Sequence, residues 1–598
     1  GFTLVLLAAA GPVSAQPAIP FADAGLHAVQ FIDKDEGWAA GDDGAIWHSI
    51  DGGKTWERQK TGTRASLRGI HFSTPYTGWA VGRLETPNRG PSIGVMLKTT
   101  DGGLKWDEVG LNVLPGLHFV RFIDENTGFV CGDGSDSFPS GMFSTTDGGR
   151  IWKPVAGGRG PGWRTADFNA SGLHGILAGA WGQIGTLTAN GFKDAELDPL
   201  SGRSIHGVKL GTTSYAVGDG GLVLISADGG MKWGFANLGL SPATLANCDF
   251  KCVAAHGSKV WVAGRPGSVV LHSADDGKTW QVQKTNLGCP ANAVHFLDEN
   301  TGWLVGELGT ISATTDGGKT WKLQAGGGQR AAVLFLHAHN RSVPLETIAT
   351  LGLGEGYLTA AVGFIAADAT TAQPGRANDP ARLRQAMRMS GGAVAESVWS
   401  FPLPSHGAGL QPRDLLASWD KAHGGKANEH LLRQTVLAIR LWQPEAIVTD
   451  VAAASATPAE TLVLFAAKEA FKQAADPNAF PEQITELGLK PWDAKKLYAL
   501  SLEDPAAAVK LDASEFDSKL AASAQELTEA AVRIVADESA SVPRRCFKLL
   551  AHRLQDAEKH VGLMEGLALA PGGVARRAAL VDEGGHHLSG SDQISPRR

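Results

Sequence analysis

The residues best placed to do chemistry lie just past the middle of the 598-residue chain, where the apolar run AAVLFLHAHN ends on His337 and His339. Two imidazoles two residues apart on a strand project to one face, and neutral imidazole is a common metal ligand. Arg341, Ser342 and Glu346 follow closely, and Asp368, Asp450 and Glu460 stand at or just beyond the ends of later segments. A catalytic zinc needs about three protein ligands and one open position for water. The histidine pair alone falls short of that, and the cationic Arg341 opposes a dication. A guanidinium suits a carboxylate or another anion instead. The sequence therefore offers no firm catalytic residue. His339 and His337 are the metal candidates, while Arg341, Ser342, Glu346, Asp368, Asp450 and Glu460 are candidates for a pocket. Glu346 reads equally as a first-turn partner of a helix dipole, and His423 and His430 flank a Gly-rich loop and read as solvated.

The elements that must position these residues alternate. AAVLFLHAHN reads as a strand, residues 345–357 as an amphipathic helix, 358–368 as a second strand and 380–392 as another helix. AESVWSFPLP is a strand, NEHLLRQTVLAIRLWQP a long helix and EAIVTD a further strand. Such alternation predicts a mostly parallel sheet covered on both faces, with ligands gathering at the C-terminal strand ends. His337, His339, Asp368 and Asp450 fall at such ends. Beyond about Glu503 the chain has helical stretches, such as residues 512–538, and the polar tail with His586 and His587 reads as loose.

This succession resembles the PIG-L/LmbE family of zinc-dependent N-acetylglucosaminyl deacetylases. The resemblance rests on VLFLHAH, on IRLWQPEAIVTD and on AAKEAFKQAADPNAFPEQITELGLKPWDAKKLY, and it covers about Arg330 to Tyr498. It implies a Rossmann-like α/β domain and a zinc site built on A-H-P-D-D-E, with His and the second Asp as ligands and the first Asp as general base. Here the stretch is AHNRSVPLE: His339 matches, Arg341 and Ser342 stand where the carboxylates belong, and Val343 replaces the Glu. The family's later H-P-D-H-like element aligns with Thr457-Pro458-Ala459-Glu460, which has no histidine. The resemblance thus implies a deacetylase fold whose metal chemistry has been lost, with no cofactor, or zinc only if the ligands have been rebuilt.

The first half is organised by repetition. SIDGGKTW, TTDGGLKW, TTDGGRIW, SADGGMKW, SADDGKTW and TTDGGKTW end at Trp56, Trp106, Trp152, Trp233, Trp280 and Trp321, and carry Asp51, Asp101, Asp147, Asp228, Asp275 and Asp316. The Trp-to-Trp steps are 50, 46, 81, 47 and 41. The double step leaves room for an eroded seventh copy, TLTANGF. Seven apolar strands ending in Gly precede the boxes: GWAAG, GWAVG, GFVCG, GILAG, SYAVG, VWVAG and GWLVG. Four short strands per repeat of this length make a propeller blade. A seven-bladed β-propeller over residues 16–326, followed by the α/β domain over 327–598, is the expected architecture. In each box the Asp accepts turn N–H groups, the glycines take positive φ and the Trp packs between sheets, so the boxes are first of all a folding device. They resemble the BNR/Asp-box family, and the GW-x-V-G strands resemble the photosystem II assembly-factor type. That resemblance implies a binding or assembly platform rather than photosynthesis itself. Sialidases share the boxes, but Tyr76 and Tyr215 are the only propeller tyrosines and no motif brings three arginines together.

The opening FTLVLLAAAGPVSAQ reads as the end of a secretory signal peptide cleaved near Ala15–Gln16, with a lipid anchor left open. It is too short to span a bilayer. A net charge of −7 without a basic cluster argues against nucleic acid. Five cysteines make no disulfide framework, although a pair among Cys248, Cys252 and Cys289 has the spacing to bond in an oxidising compartment. The expected function is a secreted or periplasmic binding protein, with a protein or glycan on the propeller face and no activity in its deacetylase-like domain. The alternative is a zinc-dependent deacetylase of an envelope glycan. No oligomeric state is specified.

Overall fold

The computed structural model describes residues 22–567, apart from 89, 111–113, 158–159, 161, 189–190, 327–329, 367–378, 404–409, 452–455, 502–503, 505–506, 537–541 and 543. The leader, Asp368 and the His586-His587 tail lie outside the described residues.

Seven four-stranded antiparallel sheets follow one another in chain order, from Leu26–Phe31 to Lys322–Ala325. Each blade is built from consecutive strands, with the first innermost. The double step in Trp spacing holds a full blade, its last hairpin formed by Ile184–Thr188 and Gly191–Asp194. Contacts within the blade account for the repeated residues. In GW-x-x-G the first Gly lies under a Phe of the innermost strand: a Cβ on Gly37 would fall 2.4 Å from Phe31 and one on Gly78 2.6 Å from Phe72. The adjacent Trp stacks on the equivalent Phe of the next blade, Trp38 on Phe72 at 3.6 Å and Trp261 on Phe296 at 3.6 Å. The box Trp meets that same Phe edge-on, as Trp106 does Phe72 at 90°. Gly, Phe and two Trp thus form one interlocking stack at Phe31, Phe72, Phe122 and Phe296, four of the seven blade interfaces.

Inside the box, the hydroxyl of Ser49 donates to Asp51 and accepts from the Gly53 N–H, while Asp51 accepts the Thr55 N–H at 2.9 Å. These bonds, the Thr55 N–H foremost, pull the Asp51 carboxyl down to about 2. Asp101, Asp147, Asp228 and Asp316 are lowered as well, and Asp275 to about 2.

The second half forms a seven-stranded sheet. Its order is Val394–Ser397, Thr359–Gly363, Val333–His337, Ala446–Thr449, Lys496–Ser501, Arg544–His552, Val509–Asp512. The first five are mutually parallel, and Arg544–His552 runs against both neighbours. Helices Pro412–His423, Ala427–Trp442 and Pro458–Gln473 pack on one face, and Asp379–Met389 and Ala524–Val535 on the other.

Several expectations need correction. The helix expected over 345–357 is α only for Leu345–Ala349, then widens into a π turn over Thr350–Gly354. Residues 512–538 hold two short strands before the helix Ala524–Val535 begins. Strand Arg544–His552 follows the helical stretch expected over 512–538, in a region where the sequence predicts no strand. All five cysteines are free. Among the described residues no helix is long and apolar enough to cross a membrane.

Candidate functional site

Strand Val333–His337 stops at His337, so His339 lies beyond it, at the head of a 3-10 turn. The two imidazoles therefore do not share a strand face. The parallel strands run 3-2-1-4-5 in chain order, so the direction of winding reverses between Val333–His337 and Ala446–Thr449. Such a reversal opens a crevice at the C-terminal strand ends. Asp450 spans it: one oxygen is 2.7 Å from His337 Nδ1 and the other accepts the Ala338 N–H at 2.7 Å. His337 is fully buried, and its Nε2 has no hydrogen-bond partner among the described residues. His339 is half-buried, and burial together with the Arg341 charge lowers its pKa.

The other candidates have structural partners. Glu346 is buried and faces Arg545 Nη2 at 3.3 Å. Glu460 closes a capping box, accepting the Thr457 N–H at 2.7 Å, and lies 3.5 Å from the Ser342 hydroxyl. T-P-A-E is thus a helix start, not a ligand element. Among the described residues no three His, Cys, Asp or Glu side chains are placed to hold a metal. A catalytic zinc does not fit them: one free buried nitrogen, a carboxylate already engaged twice and a nearby guanidinium do not make a zinc site.

A larger feature was not anticipated. The loops joining the second strand of a blade to the third, and one blade to the next, face the α/β domain and are covered by it. Arg388 donates to Asp43 at 2.7 Å and to Asp23 at 3.1 Å, and Arg384 to Glu307 and Asp42 at 3.0 and 3.3 Å. Arg265 donates to Gln434 at 3.0 Å, and Gln483 to Asn247 at 2.8 Å. Between the two domains lies a chamber of about 1420 Å³. Its α/β wall includes Asn340, next to His339, and Ser397 at a C-terminal strand end. His423 and His430, expected in solvent, stack at 4.5 Å on this wall and bind Ser400.

On the propeller side, the innermost strand of every blade has a β-bulge at one register position. Leu26 pairs with Gly41 and Ala28 with Ala40, so His27 is left over. The same skip isolates Arg68, His118, Arg164, His206, Lys251 and Asn292. Bulges re-aim side chains, and all seven of these residues line the chamber. The bulge also explains the last Gly of GW-x-x-G. A Cβ on Gly41, Gly218 or Gly306 would lie 2.1 Å from the carbonyl oxygen of Gly25, Ser204 or Pro290.

The residue after that Gly decides which ring members meet an acid from their own blade. It is Asp42, Asp133, Asp219 and Glu307 in the first, third, fifth and seventh blades, and Arg83, Ala180 and Arg265 in the others. Asp42 is 2.9 Å from His27, Asp133 3.2 Å from His118 and Asp219 2.6 Å from His206. Asn292 donates to Glu307 at 3.1 Å, and Lys251 reaches Asp219 at 3.5 Å. Burial lowers His118 to about 4 and Arg68 to about 10. The signal in the sequence was the residue one place after the apolar start of each inner strand. It varies among His, Arg, Lys and Asn, and so does not register as a repeat.

The model of the "Photosynthesis system II assembly factor YCF48" family matches residues 14–86 and 209–327. Over these residues the propeller is similar to that of the YCF48 family. The chain is 29% identical over 299 residues to the Photosystem II assembly lipoprotein Ycf48 of Picosynechococcus sp., covering 47% of this chain and 81% of that protein. To its namesake in Synechococcus sp. it is 27% identical over 150 residues, 24% of this chain and 42% of the other. The Photosystem II stability/assembly factor HCF136 of Arabidopsis thaliana is 26% identical over 132 residues, 20% of this chain and 30% of its own. The chain thus spans less than half of the Synechococcus and Arabidopsis proteins. A structure titled "YCF48 bound to D1 peptide" aligns at 20% identity and a TM-score of 0.40, covering 49% of this chain and 94% of its own. The matches stop at the YCF48-type propeller; none of these alignments covers more than about half of this chain.

Proposed function

We propose that this protein is an extracytoplasmic binding or assembly factor that engages a protein partner through the Asp-box face of its YCF48-type propeller. One observation carries the reading: the α/β domain covers the opposite face, while exposed apolar side chains gather around the boxes. Antiparallel alternation puts the boxes and the first turn of each blade together on the uncovered face. There Ile50, Leu104, Ile151 and Met231 project from boxes, and Tyr76 and Leu173 from neighbouring turns, Leu104 being 87% exposed. Apolar side chains clustered on one surface mark interaction sites. The relatives named as assembly factors share this propeller, which supports a platform over an enzyme.

The α/β domain is proposed to be a PIG-L/LmbE-like fold without deacetylase chemistry. The metal-site departures at Arg341 and Ser342, and the Glu460 capping box, support that reading. A photoreactive side chain placed at Leu104 is expected to give a discrete protein adduct in the native compartment, whereas one at Ser201 on the chamber side gives none. Absence of an adduct from position 104 would overturn the proposed face. Zinc analysis tests the second half: stoichiometric zinc that disappears in His337→Ala would restore the deacetylase reading.

A further inference from the structure

The chamber carries an inference that does not depend on which partner occupies the Asp-box face. Among the described residues it is lined by eight Arg or Lys and five Asp or Glu side chains. Most of these cations are accounted for. Arg265 and Arg384 bind carboxylates across the interface, Arg433 binds Glu429 and Glu482, and Lys251 reaches Asp219. Arg203 donates to the Leu200 carbonyl at 3.0 Å and lies over Phe235.

Arg68 and Arg164 are different. Neither guanidinium has a hydrogen bond or ion pair among the described residues, and Arg68 Nε is buried without a partner. The cause is local. They are the ring members of the second and fourth blades, where the position after the strand Gly holds Arg83 and Ala180 in place of an acid. Between them stands the His118 of the third blade, whose Asp133 is already taken by Arg83 at 2.7 Å. Both are half-buried in the chamber wall, and the nearest acids, Asp42 for Arg68 and Asp219 for Arg164, act on them only at a distance without a hydrogen bond. Two guanidiniums with free N–H groups thus leave a place for further negative charge. Trp181 and Trp399 line the same chamber and add flat apolar surface to its wall.

We propose that the chamber binds a small molecule bearing phosphate or carboxylate groups, held by Arg68 and Arg164 together. Both oxyanions accept the paired N–H groups of a guanidinium, so they share one recognition chemistry. The walls come from both domains, so the ligand contacts the α/β strand ends and the propeller at once.

Titration calorimetry of the full chain with pyrophosphate, and separately with citrate, distinguishes phosphate from carboxylate. At least one is expected to bind, more weakly as salt rises. In Arg68→Gln/Arg164→Gln the affinity should fall about a hundredfold, since two charge-assisted contacts are lost. Ala180→Asp provides a variant with Arg164 left in place. The turn Ala180–Gly182 has the backbone of Asp42–Gly44, with Trp181 and Asp43 both at positive φ, so an Asp at 180 adopts the conformation Asp42 already has. It should occupy Arg164 and weaken binding roughly tenfold, while raising the thermal midpoint of the ligand-free protein. If neither probe binds at millimolar concentration, or if both variants bind as the parent does, the proposal is overturned.

Discussion

Replacing Arg388 with Met tests whether buried ion pairs, rather than apolar contact alone, hold the two domains together. Arg388 has a side-chain exposure of 5%, and its partners Asp23 and Asp43 have 11% and 8%. The substitution keeps most of the aliphatic volume and removes the Arg388 charge from two buried carboxylates. Breaking a buried pair from one side costs about 3–5 kcal/mol, because the remaining charge stays desolvated. Asp43 retains Arg64 at 3.2 Å, which places the expected loss near the lower end, at about 3 kcal/mol. Scanning calorimetry is the assay. The parent should unfold with its domains coupled, and the variant should show a separate, earlier transition for the domain that has lost its support. Adding Asp23→Asn and Asp43→Asn should recover most of the loss, since the cost lies in the stranded charges. A variant that unfolds like the parent, or a triple variant no better than the single one, would refute the argument.

Three further outcomes follow from the geometry. Gly218→Ala places a Cβ 2.1 Å from the Ser204 carbonyl oxygen, and urea unfolding should show a loss of about 1–3 kcal/mol, whereas Gly234→Ala, with open space around it, should be near neutral. Burial lowers His71 and His295 to about 4 against an ordinary 6.5, and each ring bonds to a carbonyl of the next blade. Between those values the unfolded chain binds more protons than the folded one. Stability should therefore fall from pH 6.5 toward 4, by at most about 1.4 kcal/mol per unit per histidine, and be flat above; a pH series of thermal midpoints checks this. Trp303→Ala removes a ring stacked on Phe31 at 3.5 Å and an N–H donated to Gly52, and equilibrium unfolding should register about 3–5 kcal/mol.

Blade number and strand order were legible because the closing Gly of the second strand answers to a contact made anew in every blade. Gly41 must clear the Gly25 carbonyl, and Gly82, Gly132, Gly179, Gly218, Gly264 and Gly306 face an equivalent carbonyl. The α/β alternation was legible for the same local reason, in its buried apolar strands. The chamber was not. Its ring residues share a place in the bulge but not a side-chain type, and their charge state depends on a residue some fifteen positions later. The pairs closing it, such as Arg388 with Asp43, lie hundreds of residues apart. Strand Arg544–His552 was hidden by its alternating half-exposed pattern, with Arg544 and Lys548 facing out as on an amphipathic helix.

Because every blade is made from consecutive strands, no strand among the described residues is exchanged to lock the first blade to the seventh, and the ring has a seam there. Arg384 crosses it, one guanidinium gripping Asp42 on the first blade and Glu307 on the last. The α/β domain therefore acts as a clasp on the circle beneath it. The Phe31–Trp303 stack already closes the seam within the propeller, and the ion pairs of Arg384 add a second closure that forms only once the later domain has folded.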